Sequence, residues 1–256
     1  MIKIERGTCP PKLNSARRKL RANDYKDDMV KDALKTMQHG KCCYCEKDLS
    51  QVGRSAIWVD HFIAKTHNSF KDGEGLTNWN LANAWGNLLM ACSTCNRDKG
   101  TDEPFDSTTN ERKLIDPCDS AIDPEDHIEF MIEGVVIFYK SKLESQLGEN
   151  TLRNLKLKSR RDIYSILRKR KLEIDKIFSD IVDGLIESNA AHVLSKQNDL
   201  RKMSSAHQPH SAFCRCYIRQ VLQKFNTENL IIINEFHNIH LVPIVINIAS
   251  GFQTIV

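Results

Sequence analysis

Long apolar runs are missing from this 256-residue chain. No stretch approaches the roughly 18 to 20 continuous apolar residues that a membrane span requires. The most apolar segment, Leu230 to Ile248, is interrupted by Asn234, Glu235, His237, Asn238 and His240. The opening MIKIERGTCPPKLNSARRKL is charged and proline-containing, with no apolar stretch that would serve as a signal peptide. The expectation is no membrane and a cytoplasmic location. An excess of one charge is also lacking: 37 Lys and Arg against 33 Asp and Glu leave a formal +4, too mild to announce a nucleic-acid binder by itself. No internal repeat is visible. Composition is otherwise that of a globular protein, 41% hydrophobic and 27% charged, with room for one large domain or two modest ones.

Cysteine is plentiful, with nine in the chain. In a reducing compartment paired cysteines point to metal before disulfide. Two C-x2-C pairs stand out: Cys42 and Cys45 in KCCYCEKDL, and Cys92 and Cys95 in ACSTCNRDKG, with 46 residues between the pairs. Two residues between thiolates let one tight turn offer both sulfurs to a metal about 2.3 Å away. Two such knuckles complete a four-thiolate site with no open position, which means structural rather than catalytic zinc. Cys43 is one residue too close to Cys45 for that spacing. Cys9, Cys118, Cys214 and Cys216 read as ordinary thiols.

Texture divides the rest of the chain. Residues 1 to 40 read as an N-terminal helical segment after the Pro10-Pro11 break, with Val30, Leu34 and Met37 at helical spacing. Residues 41 to 105 hold both cysteine pairs and Trp58, Trp79 and Trp85, and read as short strands and loops held by something other than a broad core. Residues 106 to 256 read as mainly helical. They begin with Asp-Pro turns and an alternating strand pair around Gly134, continue as a basic helix over 153–187, and end in an Ile/Val-rich tail open to strand formation. Ile163, Ile166, Leu167, Ile174, Ile177, Phe178, Ile181, Leu185 and Ile186 give the long helix an apolar face, expected to be core, with a share available to a partner. A further helix is expected from Ser211 to about Phe225.

Between the knuckles stand IWVDHFIAK and AWGNLLMAC. Ile57, Val59 and Phe62 suggest a strand carrying Asp60 and His61, whose side chains alternate to opposite sides. The second knuckle would open a helix with Asn96 and Lys99 three residues apart on one face. Phosphodiester hydrolysis needs a deprotonated water and neutralisation of charge on the leaving oxygen. A neutral imidazole, here His61, suits the first task at pH 7. A hard cation such as Mg2+ or Mn2+ suits the second, and Asp60 with the Asn96 amide oxygen offers two oxygen ligands. Asn87 is placed to fix the His61 ring, and Lys99 to meet phosphate charge.

The ordered set C-x2-C, D-H, N, C-x2-C-N, K resembles the HNH endonuclease family. Position by position, the family's first His falls on His61, its middle Asn on Asn87 and its last letter on Asn96, an H-N-N variant. The order of KCCYCEKDL, VDHF, WGNLLMACSTCNRDK, LIDPC, DPEDHIEF and NTLRNLKLKSRRDI is similar to the retron-associated HNH nuclease family, which includes the PtuB subunit of Septu anti-phage systems. That resemblance spans roughly residues 1–170. It implies an α+β fold, a mainly α-helical chain carrying a zinc-stapled ββα-metal nuclease module, with Asp60 a ligand of the catalytic ion. It also implies a PtuA-type ATPase partner and, in retron-linked systems, a reverse transcriptase with its RNA–DNA product.

Positive charge is concentrated at 153–176, where ten basic residues face only Asp162, Glu173 and Asp175. Arg160, Arg161, Arg168, Lys169, Arg170 and Lys171 are the candidates for neutralising phosphates, against a solvated helix face or a partner's acidic surface. DNA is the expected substrate. Cleavage of RNA, including transfer RNA, by the same system, a stand-alone restriction nuclease, and a non-catalytic zinc module that binds nucleic acid all stay open on sequence.

Overall fold

The computed structural model describes residues 1–14, 20–65, 82–101, 104–106 and 108–232, the last eight of these as backbone only. The chain falls into two compact units, Met1–Tyr164 and Ser165–Val256. Trp79 and the apolar tail beyond residue 232 lie outside the described residues.

In the first unit, residues 11–13 and 24–26 form single 3-10 turns ahead of α1 (Asp28–Met37). The Asp27 side chain accepts from the Met29 N–H and so caps α1. Val30 and Leu34 are fully buried, as their spacing predicts. Next come β1 (Ile57–His61) and β2 (Leu88–Cys92), an antiparallel pair in which Ile57 faces Cys92 and His61 faces Leu88. The helix α2 (Ser93–Lys99) leaves directly from β2 and packs back on both strands. This is the expected ββα unit, within an α+β chain. Gly100 ends α2 with φ 58°, a left-handed backbone that a side chain would strain.

β2 is buried along its whole length, and its backbone needs partners on the side away from β1. Gln38 supplies them, because its amide oxygen accepts from Met90 N–H at 2.7 Å and its amide nitrogen donates to Met90 O at 2.8 Å and Lys41 O at 2.9 Å. One side chain thus acts as a short third strand.

Further on, α3 (Pro124–His127) leads into β3 (Ile128–Glu133) and β4 (Val136–Ser141), paired antiparallel around a turn that opens at Gly134. This is the hairpin that the alternation predicts. α4 (Gln146–Asn154) then crosses to β4. A Cβ on Gly148 would lie 2.1 Å from the His127 carbonyl oxygen, so only glycine lets α4 approach the end of α3 this closely.

The helix α5 (Arg161–Ile186) begins in the first unit and runs into the second, which also holds α6 (Ala190–Ser204) and α7 (Ser211–Ile232). Ile163, Leu167, Ile174, Phe178 and Ile181 of the expected apolar face are buried, whereas Ile186 is 76% exposed. Lys196 pairs with Asp180 at 2.7 Å, tying α6 to α5. The Tyr217 hydroxyl of α7 donates to Asp175, which also pairs with Lys171. Among the described residues no helix is long and apolar enough to cross a membrane.

Candidate functional site

Four sulfurs meet at the base of the ββα unit. Cys42, Cys45, Cys92 and Cys95 are all buried, and their Sγ atoms lie within 4.8 Å of one another. None of the nine cysteines forms a disulfide. Local backbone explains the convergence. The first knuckle turns tightly at Glu46 (φ 58°), with Glu46 N–H donating to Cys42 O at 3.0 Å. Its Cys43 N–H donates to Met90 O at 3.0 Å, which locks the turn to β2. The second knuckle is the junction of β2 and α2, with Cys92 ending the strand and Cys95 one turn into the helix.

A tetrahedral ion with bonds of about 2.3 Å needs sulfurs a little under 4 Å apart, and Cys45 Sγ and Cys92 Sγ are 3.8 Å apart. N–H donors around the sulfurs suit thiolates better than thiols. Cys92 N–H points at Cys42 Sγ at 3.3 Å, and Arg160 Nη1 at Cys95 Sγ at 3.3 Å. The residues fit a structural metal such as zinc.

That contact corrects one expectation. Arg160 is only 5% exposed, its Nε and Nη2 grip the Asp162 carboxylate at 2.8 and 2.9 Å, and Lys47 shares the same Asp162. It is held between Cys95 and Asp162 and does not present its guanidinium at the surface. The basic stripe is further thinned by Arg170 paired to Glu173 at 3.0 Å and by Lys171 paired to Asp175 at 2.7 Å. Arg161, Arg168 and Lys169 are exposed.

Asp60 and His61 end β1, and alternation sends them to different neighbourhoods. Asp60 is buried toward the first knuckle. Its Oδ2 accepts from the Tyr44 hydroxyl at 2.6 Å, and its Oδ1 lies 3.4 Å from Lys99 Nζ. Burial pushes its carboxyl pKa up, while Lys99 and Tyr44 oppose the shift. His61 Nε2 lies 2.7 Å from the Ala82 carbonyl oxygen. A carbonyl only accepts, so Nε2 carries the proton and Nδ1 keeps the free lone pair. Burial lowers the imidazole pKa to about 4, with Lys65 and Lys99 nearby adding to the effect, so the ring is neutral at pH 7.

Two expected roles change in the structure. Lys99 is 1% exposed and donates to the His61 carbonyl at 2.7 Å, so it is an internal cation between Asp60 and His61 and does not face solvent. Asn87 holds the loop after His61 and not the ring: its Oδ1 accepts from Ile63 N–H at 2.8 Å and its Nδ2 donates to Ile63 O at 3.1 Å. Asn96 sits half-buried on α2, one turn before Lys99, as its spacing predicts.

Several residues of the site carry no sequence signal. The Tyr25 ring stands edge-on to His61 with centroids 4.7 Å apart, and Lys65 donates to the Tyr25 hydroxyl at 2.8 Å. Asn83 fixes that tyrosine by accepting from its N–H at 2.8 Å. Arg6 reaches the Leu88, Trp85 and Gly86 carbonyls at 2.6, 3.0 and 3.1 Å, anchoring the turn that carries Asn87. Tyr25, Asn83 and Arg6 come from more than twenty residues away from His61, so no local pattern announces them, whereas Lys65 stands only four residues after it.

An antiparallel strand pair and a helix joined at four buried cysteines that could hold a metal such as zinc define the class: a cysteine-knuckle ββα module with a histidine and an aspartate at the end of its first strand. Comparison with known proteins narrows this. The chain is 32% identical over 194 residues to the Septu protein PtuB of Bacillus mycoides (strain KBAB4), covering 70% of this chain and 63% of that protein. It is 31% identical over 134 residues to the Septu protein PtuB of Bacillus thuringiensis, covering 46% of this chain and 48% of that protein. Over this span the chain is similar to the PtuB proteins, as its motif order implies, and it spans only between about half and somewhat under two thirds of the length of these relatives. No family model matches the chain, and no solved structure matches it significantly.

Proposed function

We propose that this protein is a metal-dependent endonuclease of the HNH type and the effector of a Septu-type anti-phage defence system, acting with a PtuA-type ATPase. The observation that carries the reading is the state of His61. Its Nε2–H is committed to the Ala82 carbonyl, which leaves Nδ1 as a neutral proton acceptor at the end of β1. A ring held this way takes a proton from a water molecule attacking a phosphodiester. Lys99 holds the strand end through the His61 carbonyl, and Asn87 holds the loop that follows, so the imidazole is oriented from both sides.

Asp60 and Asn96 are the residues that would hold Mg2+ or Mn2+, an all-oxygen donor pair suited to a hard cation, which supplies Lewis-acid stabilisation of the phosphate. The Asp60 oxygens retain lone pairs beyond those used by Tyr44 and Lys99, which supports the assignment. DNA is the substrate we favour. Arg161, Arg168 and Lys169 remain the surface candidates for its backbone, and Lys65, beside the base, replaces Lys99 as the cation nearest the reacting phosphate. The likeness to Septu proteins supports the defence role and the ATPase partner, and it lends none to a retron reverse transcriptase.

The test is sequencing of nucleic acid from infected cells that express the chain with its genetic neighbours, beside a His61→Ala version. Metal-dependent breaks in DNA that vanish with His61→Ala, while zinc content and fold stay unchanged, are the expected result. Full cleavage by the purified variant refutes His61 as the base.

A further inference from the structure

Tyr44 occupies the third position of the first knuckle, between the two thiolates Cys42 and Cys45, and is fully buried. Its hydroxyl donates to Asp60 Oδ2 at 2.6 Å, while Lys99 approaches the other carboxylate oxygen. We infer that Tyr44 is a positioning residue through which the zinc knuckle sets the orientation of the Asp60 carboxylate toward a divalent cation.

The inference rests on the nuclease reading above and goes beyond it. It makes the zinc centre more than a staple, because its geometry is transmitted to the proposed catalytic ion through one side chain. The physical path is short. Two sulfur ligands fix the ends of the knuckle, and Cys43 N–H pins its middle to Met90 O at 3.0 Å. Cys42 N–H donates to Lys47 O at 2.9 Å, closing the turn. A tyrosine held on such a turn has little backbone freedom left, and burial denies its ring other rotamers. Its hydroxyl is therefore delivered to a set point, where a short bond to a carboxylate is strong and directional. Lys99 reaches the site from α2, the element that carries the second knuckle, so Asp60 is held from both halves of the zinc centre.

The test uses the full, zinc-loaded chain with Mn2+ as the probe, following free Mn2+ by electron paramagnetic resonance. Tyr44→Phe should keep one zinc per chain and weaken Mn2+ binding about tenfold, or ~1.4 kcal/mol. The metal concentration for half-maximal cleavage should rise by the same factor, with the rate at saturating Mn2+ little changed. A folded, zinc-loaded Tyr44→Phe protein that binds Mn2+ as tightly as the wild type overturns the inference.

Should that variant fail to fold, the wild-type protein carrying Co2+ in place of zinc decides. Adding Mg2+ should shift the thiolate–cobalt absorption, and Asp60→Asn should abolish the shift. A cobalt spectrum indifferent to Mg2+ overturns the inference. Wild-type protein that neither binds Mn2+ nor cleaves overturns the nuclease reading and this inference with it, whereas an intact wild-type site untouched by Tyr44→Phe overturns the inference alone.

Discussion

Replacing Cys92 with serine perturbs the chain where three structural duties coincide. Cys92 ends β2, stands at the N-terminal boundary of α2, and contributes one of four buried sulfurs. Its N–H also donates to Cys42 Sγ, a bond that depends on the sulfur carrying thiolate charge. Serine keeps the backbone and removes the soft ligand, leaving three thiolates for one ion. Structural zinc in small modules contributes roughly 10–16 kcal/mol at pH 7, and a whole domain is stable by only about 5–15 kcal/mol. Losing even half of the first quantity cancels most of the second. The buried Arg160 guanidinium adds to the loss, since it faces the thiolates and would be left in an apolar site with only Asp162 as counter-charge. Cys92→Ser should therefore lose its metal and the fold of residues 1–164. Zinc quantification of the purified protein, paired with circular dichroism and limited proteolysis, checks both. A soluble variant that keeps one zinc per chain and the wild-type melting curve would refute the four-thiolate assignment.

Three further outcomes follow from particular contacts. Gln38→Leu leaves Met90 N–H and Lys41 O buried without their side-chain partner, at about 1–3 kcal/mol each, so urea unfolding should show a loss of about 2–6 kcal/mol with zinc retained. Gly148→Ala places a methyl against the His127 carbonyl, and overpacking of this kind costs about 1–3 kcal/mol; an unchanged melting temperature would mean that α4 shifts freely.

His61 has a pKa of about 4 in the fold and about 6.5 when unfolded, so between these values the unfolded chain binds the extra proton. Stability should fall as pH drops from 6.5 to 4, by about 3 kcal/mol from this ring alone. Comparison with His61→Asn, which lacks that titration, isolates the contribution from protonation of the zinc thiolates; identical pH profiles for the two proteins would contradict the burial argument.

Local chemistry made the cysteine knuckles, the first strand, the helix that follows Cys92 and the hairpin around Gly134 legible in the sequence. Thiolate spacing, period-two alternation and helical spacing act within a few residues, so they survive being read one window at a time. The pairing of Asp60 and His61 at one strand end was legible for the same reason. Partner choice was not. Lys99 reads as a surface cation from its helix spacing, yet it is buried because Asp60 and the His61 carbonyl, some 39 residues earlier, need its charge. Arg160 reads as part of a basic stripe, yet Cys95, 65 residues away, claims it. Gln38, Tyr44, Tyr25 and Arg6 find their places only once the chain has closed on itself. A buried polar group is placed by whatever distant partner satisfies it, and that partner is decided by packing, which no single stretch of sequence contains.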